Sequence, residues 1–472
     1  MNKVRLRYAP SPTGMLHIGG ARTALFNFLY AKSLKGDFIV RIDDTDTERN
    51  VTGGESSQLS LLRWLGIKID ETVDTNSSYG PYRQSEKIDL YRKYISELID
   101  SGKAYKCFHT NDEIDAERQL QKKEGKWNFM HQCSHKDLSK SEIKSLEDKM
   151  EFSVRIKTKN EGNVSWDDMI RGKITVNCDE IGDWVALRTN GIPTYNFTSV
   201  IDDYLMKITH VMRGEEHIAN TPKQILLQED LGFSIPVYSH LTLIVGEDKK
   251  KLSKRNESIV QFISQYKDLG YLPEAIINYL SLLGWSPKGH EEVFTIDELI
   301  ELFNKEGFSK SSAIFDPKKM EWYNNQYINK LSDEDYFTFI EKYAPRELVK
   351  KYDLNLRKRI YNLFKPQIRS GIEIKDLTKI FIDFNKYENY TQDFNTVREV
   401  LINEIEKSSS FDKETISGIF NILKKEHKIA PKLIFMPTRL MVTGMEHGPD
   451  LKESMEILGM KEVIRRLKMY DK

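Results

Sequence analysis

The chain has 472 residues, of which 39% are hydrophobic and 30% are charged, and its 71 Lys and Arg residues balance 71 Asp and Glu residues. At about 100–200 residues per domain, this length predicts several structural units, and the composition excludes wholesale disorder. The net charge of zero excludes a global basic field, so any nucleic acid must be bound by local basic patches.

The sequence also indicates where the protein works. No apolar run approaches the ~18–20 residues that a membrane span requires, and the N-terminal residues form no hydrophobic signal core. Three cysteines are too few for a disulfide framework in a chain of this length. We therefore expect a cytoplasmic protein without membrane contact.

Residues 4–42 alternate between strand and helix patterns. Residues 4–8 and 38–42 have the pattern of strands, residues 10–14 (PSPTG) that of a loop, and an apolar period of three to four residues begins after Gly19 and Gly20. This order predicts the start of a doubly wound nucleotide-binding sheet, whose ligands lie beyond the carboxyl ends of the strands.

The character of the chain changes twice after this unit. Residues 103–148 are polar and lysine-rich, and short strand patterns follow at residues 154–156 and 174–176, which predicts a domain inserted into the first fold. Strand and helix patterns alternate again over residues 184–245, where we expect the sheet to resume. Beyond residue 316 the pattern is helical, with helices predicted at residues 335–343, 356–364, 396–406, 413–425 and 451–467.

Two short segments have the residue types that phosphate chemistry needs. Residues 17–20 (HIGG) lie where the first loop turns into a helix, and unpaired N–H groups, the helix dipole and an imidazole favour phosphate binding there. Residues 251–255 (KLSKR) place three cations around a serine, which suits the charge on a departing pyrophosphate. Taken singly, each segment has an ordinary alternative: a lone loop histidine and a solvated basic turn.

Together and in this order, the two segments resemble the HIGH and KMSKS signatures of class I aminoacyl-tRNA synthetases. Other segments resemble the glutamyl-tRNA synthetases of the bacterial type: residues 7–14 (RYAPSPTG), 41–46 (RIDDTD), 80–85 (GPYRQS), 193–197 (PTYNF) and 213–217 (RGEEH). The resemblance extends to residues 443–449 and so covers nearly the whole chain.

The resemblance implies an α/β fold in which a Rossmann-type catalytic domain is split by an inserted α+β domain and followed by a stem-contact region and an all-α anticodon-binding region. We predict the catalytic domain at residues 1–90 and 191–245 and the inserted tRNA acceptor-binding domain at residues 91–190. The stem-contact domain with the KLSKR loop is expected at residues 246–330, and two helical anticodon-binding domains at residues 331–389 and 390–472.

The implied reaction is the two-step attachment of L-glutamate to glutamate tRNA. The glutamate α-carboxylate attacks the α-phosphate of ATP, which binds with Mg²⁺, and pyrophosphate leaves. The 2′-hydroxyl of the terminal tRNA ribose then attacks the glutamyl-adenylate. We expect a monomer.

A pocket for glutamate needs cations for its two carboxylates and an anion for its ammonium group. Arg7 and Arg213 are predicted to clamp the side-chain carboxylate with the Tyr195 hydroxyl as a third donor, and Ser11 and Asp43 to receive the ammonium group. The family motif most often has Glu at the position of Asp43, and the missing methylene shortens the reach by about 1.3–1.5 Å. The resemblance also assigns Ala9 and Ser199 to this pocket.

The remaining active-site predictions concern ATP. The resemblance implies that His17 and Lys254 act in catalysis, His17 by steadying the phosphates and Lys254 by neutralising the departing charge. Glu216 is expected near the ribose and adenine, although an acid that caps a helix is the alternative. The predicted ATP-binding set is His17, Gly19, Gly20, Glu216, Lys251, Ser253, Lys254 and Arg255.

The inserted segment contains two clusters of metal-ligand types, Cys107 with His109, and His131 and Cys133 with His135. Many bacterial relatives have a Cys-x-Cys…Tyr-x3-Cys site here, in which this chain has His109 at the second cysteine and Phe129 at the tyrosine. Two interpretations stay open: a structural zinc held by Cys107, His109, Cys133 and His135, or a decayed site whose surviving residues are exposed.

The helical C-terminal third is expected to bind the tRNA anticodon. Five cations and no acid lie between Leu356 and Arg369, which predicts a phosphate-tracking face, while two rings among them are expected in the core. These cations are Arg357, Lys358, Arg359, Lys365 and Arg369, and the rings are Tyr361 and Phe364.

Gln367 bears on which tRNAs are charged. It aligns with an Arg of family members that accept only glutamate tRNA, so we expect a non-discriminating enzyme that also places glutamate on glutamine tRNA. In the alternative, Gln367 is a plain surface residue and another side chain, such as Arg369, excludes glutamine tRNA.

Two rival functions remain at this stage. A glutaminyl-tRNA synthetase shares the catalytic fold but has β-barrel anticodon domains, which the helical third of this chain argues against. A catalytically inactive nucleotide- or RNA-binding paralogue is the other.

Overall fold

The computed structural model describes residues 3–46, 48, 50–75, 77–126, 129–159, 161–250, 260–388 and 392–470. The described chain forms two compact units, residues 1–266 with 276–319 and residues 267–275 with 320–472. The finer six-part division stays a prediction. The strands are β1 (Arg5–Tyr8), β2 (Asp37–Val40), β3 (Ala104–Cys107), β4 (Ser153–Ile156), β5 (Asn163–Asp168), β6 (Gly172–Asn177), β7 (Trp184–Leu187), β8 (His210–Gly214), β9 (Val237–Leu241), β10 (Ile244–Val245) and β11 (Ala313–Ile314).

A four-stranded parallel sheet in the order β2-β1-β8-β9 forms the centre of the first unit. Its two halves come from opposite sides of the inserted segment, as the sequence predicted. The chain leaves β1 toward β2 on one side and β8 toward β9 on the other, so the order reverses between β1 and β8. Ligands of open parallel sheets bind at the carboxyl ends of the strands at such a switch point.

The inserted segment has sheets of its own. Strands β3, β4 and β7 form an antiparallel sheet, and β5 and β6 form a hairpin. The prediction that the main sheet resumes at residue 184 is wrong, because β7 pairs with β4 and the sheet resumes only at β8. Strands β7 and β8 are both short and partly buried, so the hydrophobic pattern of neither strand indicates which sheet it joins.

Helices pack against the central sheet, and the described part of the second unit is mostly helical. Those beginning before residue 320 are α1 (Ile18–Ser33), α2 (Gly54–Trp64), α3 (Ile88–Asp100), α4 (Asn111–Lys123), α5 (Lys140–Glu147), α6 (Tyr195–Leu205), α7 (Thr221–Leu231), α8 (Ile263–Leu269), α9 (Pro273–Ser281), α10 (Ile296–Leu302) and α11 (Pro317–Lys330). Those that follow are α12 (Asp333–Glu341), α13 (Arg346–Lys351), α14 (Leu354–Phe364), α15 (Ile374–Leu377), α16 (Lys379–Ile382), α17 (Gln392–Lys407), α18 (Lys413–Lys425), α19 (Pro431–Thr443), α20 (Leu451–Leu458) and α21 (Met460–Lys468). Helix α1 packs against β1, β2 and β8 of the central sheet, and α7 shares a hydrophobic cluster with residues of β2, β8 and β9.

The five helix predictions for the C-terminal third are confirmed with one correction, but α11, α13, α15, α16 and α19 were not individually predicted. The single helix predicted at residues 451–467 is two helices, because Gly459 has a φ of +80° and breaks the run between α20 and α21. Helix α19 was missed, since it contains Pro437. Among the helices of the described residues, none has the length and apolar composition that crossing a membrane requires.

Candidate active site

A cavity of about 400 Å³ lies beyond the carboxyl ends of β1 and β8, at the switch point of the central sheet. Strand β1 and the residue after it contribute Arg7, Tyr8 and Ala9, and β8 contributes Arg213. Other predicted residues that line it are His17, Gly19, Gly20, Tyr195 and Glu216. The sequence thus predicted much of the wall of this cavity from segments far apart in the chain.

His17 caps helix α1 at the mouth of the cavity. Its Nδ1 accepts hydrogen bonds from the backbone N–H groups of Gly19 at 3.1 Å and Gly20 at 3.3 Å. The prediction that these N–H groups are unpaired is therefore wrong. Because Nδ1 acts as acceptor, the ring proton of a neutral imidazole resides on Nε2, which becomes a donor suited to a phosphate oxygen.

Gly20 permits a close approach between α1 and β1. A Cβ at this position would lie 2.7 Å from the hydroxyl of Tyr8, a contact that real side chains do not make. Tyr8 is partly buried, and burial raises the pKa of its hydroxyl. A side chain in place of Gly20 would therefore have to displace the Tyr8 hydroxyl beside the cavity.

Arg213 presents a buried guanidinium that is held on three sides. Its Nη1 donates to the Tyr195 hydroxyl at 3.2 Å and its Nη2 to Thr221 Oγ1 at 2.9 Å. Its Nε donates to Nε2 of His240 at 3.3 Å. Arg213 is 5% exposed, so this cation is preorganised at the cavity wall, beside the tyrosine with which the sequence grouped it.

Arg7 has a partner that the sequence did not predict. Its Nε and Nη2 donate to the two carboxylate oxygens of Asp203, at 3.0 and 3.2 Å, and the same carboxylate accepts from Arg41 at 2.6 Å. Burial by itself raises the pKa of Asp203, but the two cations outweigh it and hold the pKa below its ordinary value. Asp203 lies on α6, where the sequence alone indicates an ordinary charged residue on a helix surface. Its pairing with Arg7 depends on the packing of α6 against the sheet.

Three predicted glutamate-pocket residues do not line the cavity. The Asp43 carboxylate is buried against Arg41, with distances of 2.7 and 3.3 Å, and burial raises its pKa in spite of that cation. Ser11 is exposed. The Ser199 hydroxyl is buried on the α6 face of Tyr195, one turn further on, and has no hydrogen-bond partner among the described residues.

Two more charged residues line the cavity on the α1 side. Glu216, predicted near the ribose, folds its carboxylate over Gly214, where an added Cβ would lie 2.2 Å from it. Arg22, which the sequence missed, donates to the backbone carbonyls of Thr242 and Leu283. Burial lowers the pKa of Arg22 to about 10, although Glu216 opposes this. Lys251, Ser253, Lys254 and Arg255 lie outside the described residues.

Comparison with known proteins decides which family has this site. The family described as "tRNA synthetases class I (E and Q), catalytic domain" matches residues 3–322, and "Anticodon binding domain" matches residues 335–470. Glutamate–tRNA ligases of Bacillus licheniformis and Bacillus subtilis are each 46% identical to this chain over 99% of both chains. The chain belongs to the glutamate–tRNA ligase family of class I aminoacyl-tRNA synthetases.

Solved structures agree with this assignment. A glutamate tRNA ligase from Elizabethkingia meningosepticum, crystallised in complex with its amino acid, superposes with a TM-score of 0.90 at 33% identity and 99% coverage of both chains. The glutamate–tRNA synthetase of Elizabethkingia anophelis gives the same TM-score at 34% identity. The predicted fold class, a class I catalytic domain followed by a helical anticodon-binding region, is therefore confirmed.

The inserted domain of the enzyme brings two cysteines and two histidines together. The ligand atoms of Cys107, His109, His131 and Cys133 all lie within 4.8 Å of one another. The fourth member differs from the prediction, since His131 stands where His135 was expected. The Nδ1 atom of His135 is 3.7 Å from Cys133 Sγ but accepts a hydrogen bond from the backbone N–H of Phe108 at 3.3 Å.

The spacing of this cluster fits a tetrahedral metal. Zn–S bonds of about 2.3 Å and Zn–N bonds of about 2.0–2.1 Å give tetrahedral edges of roughly 3.5–3.6 Å. The observed S···N distances are 3.5 Å from Cys107 to His131, 3.6 Å from Cys107 to His109, and 3.6 Å from Cys133 to His109. The Nδ1 of His131 meets the Glu117 carboxylate at 2.5 Å, which directs its Nε2 into the cluster.

The five predicted cations, three on α14 and two just after it, are all paired with acids. The acids come from other elements of the helical unit: Arg357 pairs with Glu341, Lys358 with Glu334, Arg359 with Glu453 and Glu456, Lys365 with Asp333, and Arg369 with Glu321. The local run has no acid, but packing supplies them. The core placement of Tyr361 and Phe364 is confirmed, since both are fully buried.

Proposed function

We propose that this enzyme attaches L-glutamate to tRNA at the cavity between β1 and β8. The observation that carries the proposal is the convergence there of two buried guanidinium groups, Arg7 and Arg213, beside the His17 end of α1. Two cations suit an amino acid with a side-chain carboxylate, and a helix start suits the phosphates of ATP.

In the first step the glutamate α-carboxylate attacks the α-phosphorus of ATP, and the bond to the pyrophosphate oxygen breaks. Arg213 and the Tyr195 hydroxyl hold the glutamate side chain, and Arg7, braced by Asp203, adds the second cation. His17 Nε2 donates to a phosphate oxygen. Mg²⁺ bound with ATP supplies further neutralisation of the phosphate charge.

In the second step the terminal 2′-hydroxyl of the tRNA attacks the carbonyl carbon of glutamyl-adenylate, and AMP leaves.

Other residues keep roles that are proposed from the sequence. Lys254 and its neighbours in the KLSKR segment are proposed to neutralise the pyrophosphate formed in the first step. Glu216 is proposed for the ribose side. Ser11, Asp43 and Ser199 remain sequence predictions, because none of them lines the cavity.

The test is charging of purified glutamate tRNA with labelled glutamate, with labelled glutamine as the matched substrate. The proposal expects glutamate to be transferred and glutamine to be rejected, because an amide carries no charge to compensate the buried guanidinium of Arg213. Transfer of glutamine in preference to glutamate would overturn it. We further propose that the enzyme is cytoplasmic and that it is a monomer. Sedimentation of the purified enzyme tests the oligomeric state.

The same assay addresses glutamine tRNA. We propose that the enzyme is non-discriminating, because the exposed Gln367 both donates and accepts hydrogen bonds and tolerates either a cytosine or a guanine in the anticodon. Arg369, the alternative reader, has its guanidinium on Glu321 at 3.2 Å and its backbone N–H on Glu373. Wild-type enzyme is expected to charge both tRNAs, and Gln367→Arg to lose glutamine tRNA selectively. Failure of wild-type enzyme to charge glutamine tRNA at high enzyme concentration would refute the proposal.

A structural zinc is proposed at Cys107, His109, His131 and Cys133, where it would hold the 131–133 segment against the end of β3. Metal analysis of purified protein is expected to find one zinc per chain. Cys133→Ser should lose it, while Cys178→Ser, a buried cysteine outside the cluster, should keep it. His131→Gln is expected to lose zinc and His135→Gln to retain it, and the reverse result would restore His135 as the fourth ligand.

A further inference from the structure

The Nε–H of Arg213 donates to a histidine, His240, that does not line the cavity. His240 lies on β9 directly beside Arg213 of β8, since the two residues are register partners in the sheet. The His240 side chain is fully buried, and its Nε2 lies 3.3 Å from Arg213 Nε and 3.1 Å from Thr221 Oγ1. Thr221 in turn accepts from Arg213 Nη2, so one histidine and one threonine brace the same guanidinium.

On its other side, the imidazole of His240 meets a buried carboxylate. Its Nδ1 is 2.5 Å from Asp168 Oδ2, and the Asp168 side chain is also fully buried. A carboxylate only accepts and a guanidinium only donates. The hydrogen bonds therefore require a neutral imidazole with its proton on Nδ1 and its lone pair on Nε2.

The charges of the two groups agree with this assignment. Burial lowers the pKa of His240, although the hydrogen bond to Asp168 opposes it, so the imidazole stays neutral. Burial alone raises the pKa of Asp168, but the hydrogen bond from His240 and the backbone donors outweigh it and keep the carboxylate charged.

Asp168 belongs to the inserted segment rather than to the central sheet. It ends β5, and its Oδ1 accepts from the backbone N–H groups of Ile170 at 3.1 Å, Arg171 at 3.0 Å and His240 at 3.3 Å. The next residue, Met169, donates its N–H to the carbonyl of Tyr238 on β9 at 3.0 Å. The β5–β6 hairpin is thus anchored on the strand that carries His240.

We propose that Asp168 and His240 are positioning residues that fix the guanidinium of Arg213 for the side-chain carboxylate of glutamate, so that the inserted hairpin sets amino-acid affinity. The proposal rests on the function proposed above for Arg213. Asp168 selects the tautomer of His240 that has its proton on Nδ1. In that tautomer Nε2 is an acceptor, which the Nε–H donor of Arg213 requires.

The first test replaces the carboxylate by its isosteric amide. In Asp168→Asn the retained oxygen still accepts from the backbone, while the new NH₂ group donates to His240 Nδ1 and transfers the ring proton to Nε2, where it faces the Arg213 donor. We expect KM for glutamate to rise about tenfold or more while KM for ATP stays within about twofold. Asp167→Asn, an exposed neighbour on the same strand with the same change of charge, is the matched control and should behave as wild type.

The second test uses the two amides that imitate the two ring nitrogens. His240→Gln places an amide oxygen near the Nε2 position and should keep KM for glutamate within about threefold of wild type, whereas His240→Asn reaches only Nδ1 and should resemble Asp168→Asn. In the His240→Gln background, Asp168→Asn should add no more than about twofold, because no tautomer remains to be inverted.

Arg213→Gln in the same assays separates the two proposals. If this variant leaves KM for glutamate unchanged, the substrate role of Arg213 fails and the positioning proposal fails with it. If Arg213→Gln raises KM and Asp168→Asn does not, or if Asp168→Asn raises KM for glutamate and ATP equally, the positioning proposal alone is overturned. Should Asp168→Asn not fold, the comparison of His240→Asn with His240→Gln decides it, and equal KM values for glutamate in those two variants would overturn it.

Discussion

Replacing Arg213 by Gln removes a single positive charge from the cavity wall. In the structure its guanidinium is 5% exposed and donates to Tyr195, Thr221 and His240, so no reorganisation is needed before it meets a carboxylate. Gln is shorter and neutral, and it offers one NH₂ group where Arg offers a fork of five N–H donors.

The size of the effect follows from this burial. Removing one partner of a buried charge pair costs about 3–5 kcal/mol, because the remaining charge is left without compensation. The cavity admits solvent on one side, which places Arg213→Gln near the lower end, about 3 kcal/mol. At about 1.4 kcal/mol per factor of ten, this is a loss of roughly a hundredfold in kcat/KM for glutamate.

The assay measures tRNA charging while glutamate and ATP are varied separately. We expect KM for glutamate to carry the loss and KM for ATP to change by less than about threefold, since ATP phosphates are assigned to the His17 side of the cavity. Arg213→Lys, which keeps the charge but not the fork, should fall between wild type and Arg213→Gln. Equal losses for both substrates, with an unchanged thermal midpoint, would refute the assignment of Arg213 to the glutamate side chain.

Three further predictions concern groups around the cavity. Lys254→Ala should abolish adenylate formation, with a barrier increase of about 3–4 kcal/mol, and leave tRNA binding near wild type; ATP–pyrophosphate exchange within tenfold of wild type would contradict this. Asp203→Asn should lower the free energy of unfolding in urea by about 3 kcal/mol, because Arg7 and Arg41 lose a shared buried anion, and a change below about 1 kcal/mol would show that the cations find other partners. Burial and the Arg213 cation lower the pKa of His217 to about 4, below its ordinary 6.5, so its neutral form favours the folded state and stability falls as pH drops from 6.5 toward 4. His217→Gln should therefore lose less stability than wild type between pH 6.5 and pH 5 in urea unfolding, and parallel losses would rule this out.

Several parts of the site could be predicted because they depend on short stretches of chain. The HIGG segment has its histidine and glycines within four residues, so the helix start could be predicted, although the capping of its N–H groups by His17 was not. Arg7 and Arg213 were recognised because each sits in a distinctive motif at the end of a strand. The helix breaks were less well predicted, since Gly459 divides a continuous apolar pattern whose period alone indicates one helix.

The partners of the charged residues were not predictable in the same way. The acids that neutralise the α14 cations come from other helices, and Asp203 reaches Arg7 from 196 positions away in the chain. The sequence indicates only that acidic and basic residues are equally numerous and that no acid lies between Leu356 and Arg369. Which of them meet depends on how the helices and the sheet pack.

The sequence by itself indicated the family, through the resemblance of its short motifs, and most of the segments that build the cavity, because the residues of each motif lie within a few positions of one another. Only the tertiary structure decided that His131 joins the cysteine cluster, that Asp43 lies against Arg41, and that Asp168 reaches His240. The physical reason is that a buried polar group must find a partner wherever packing places one, and sequence distance puts no limit on that choice.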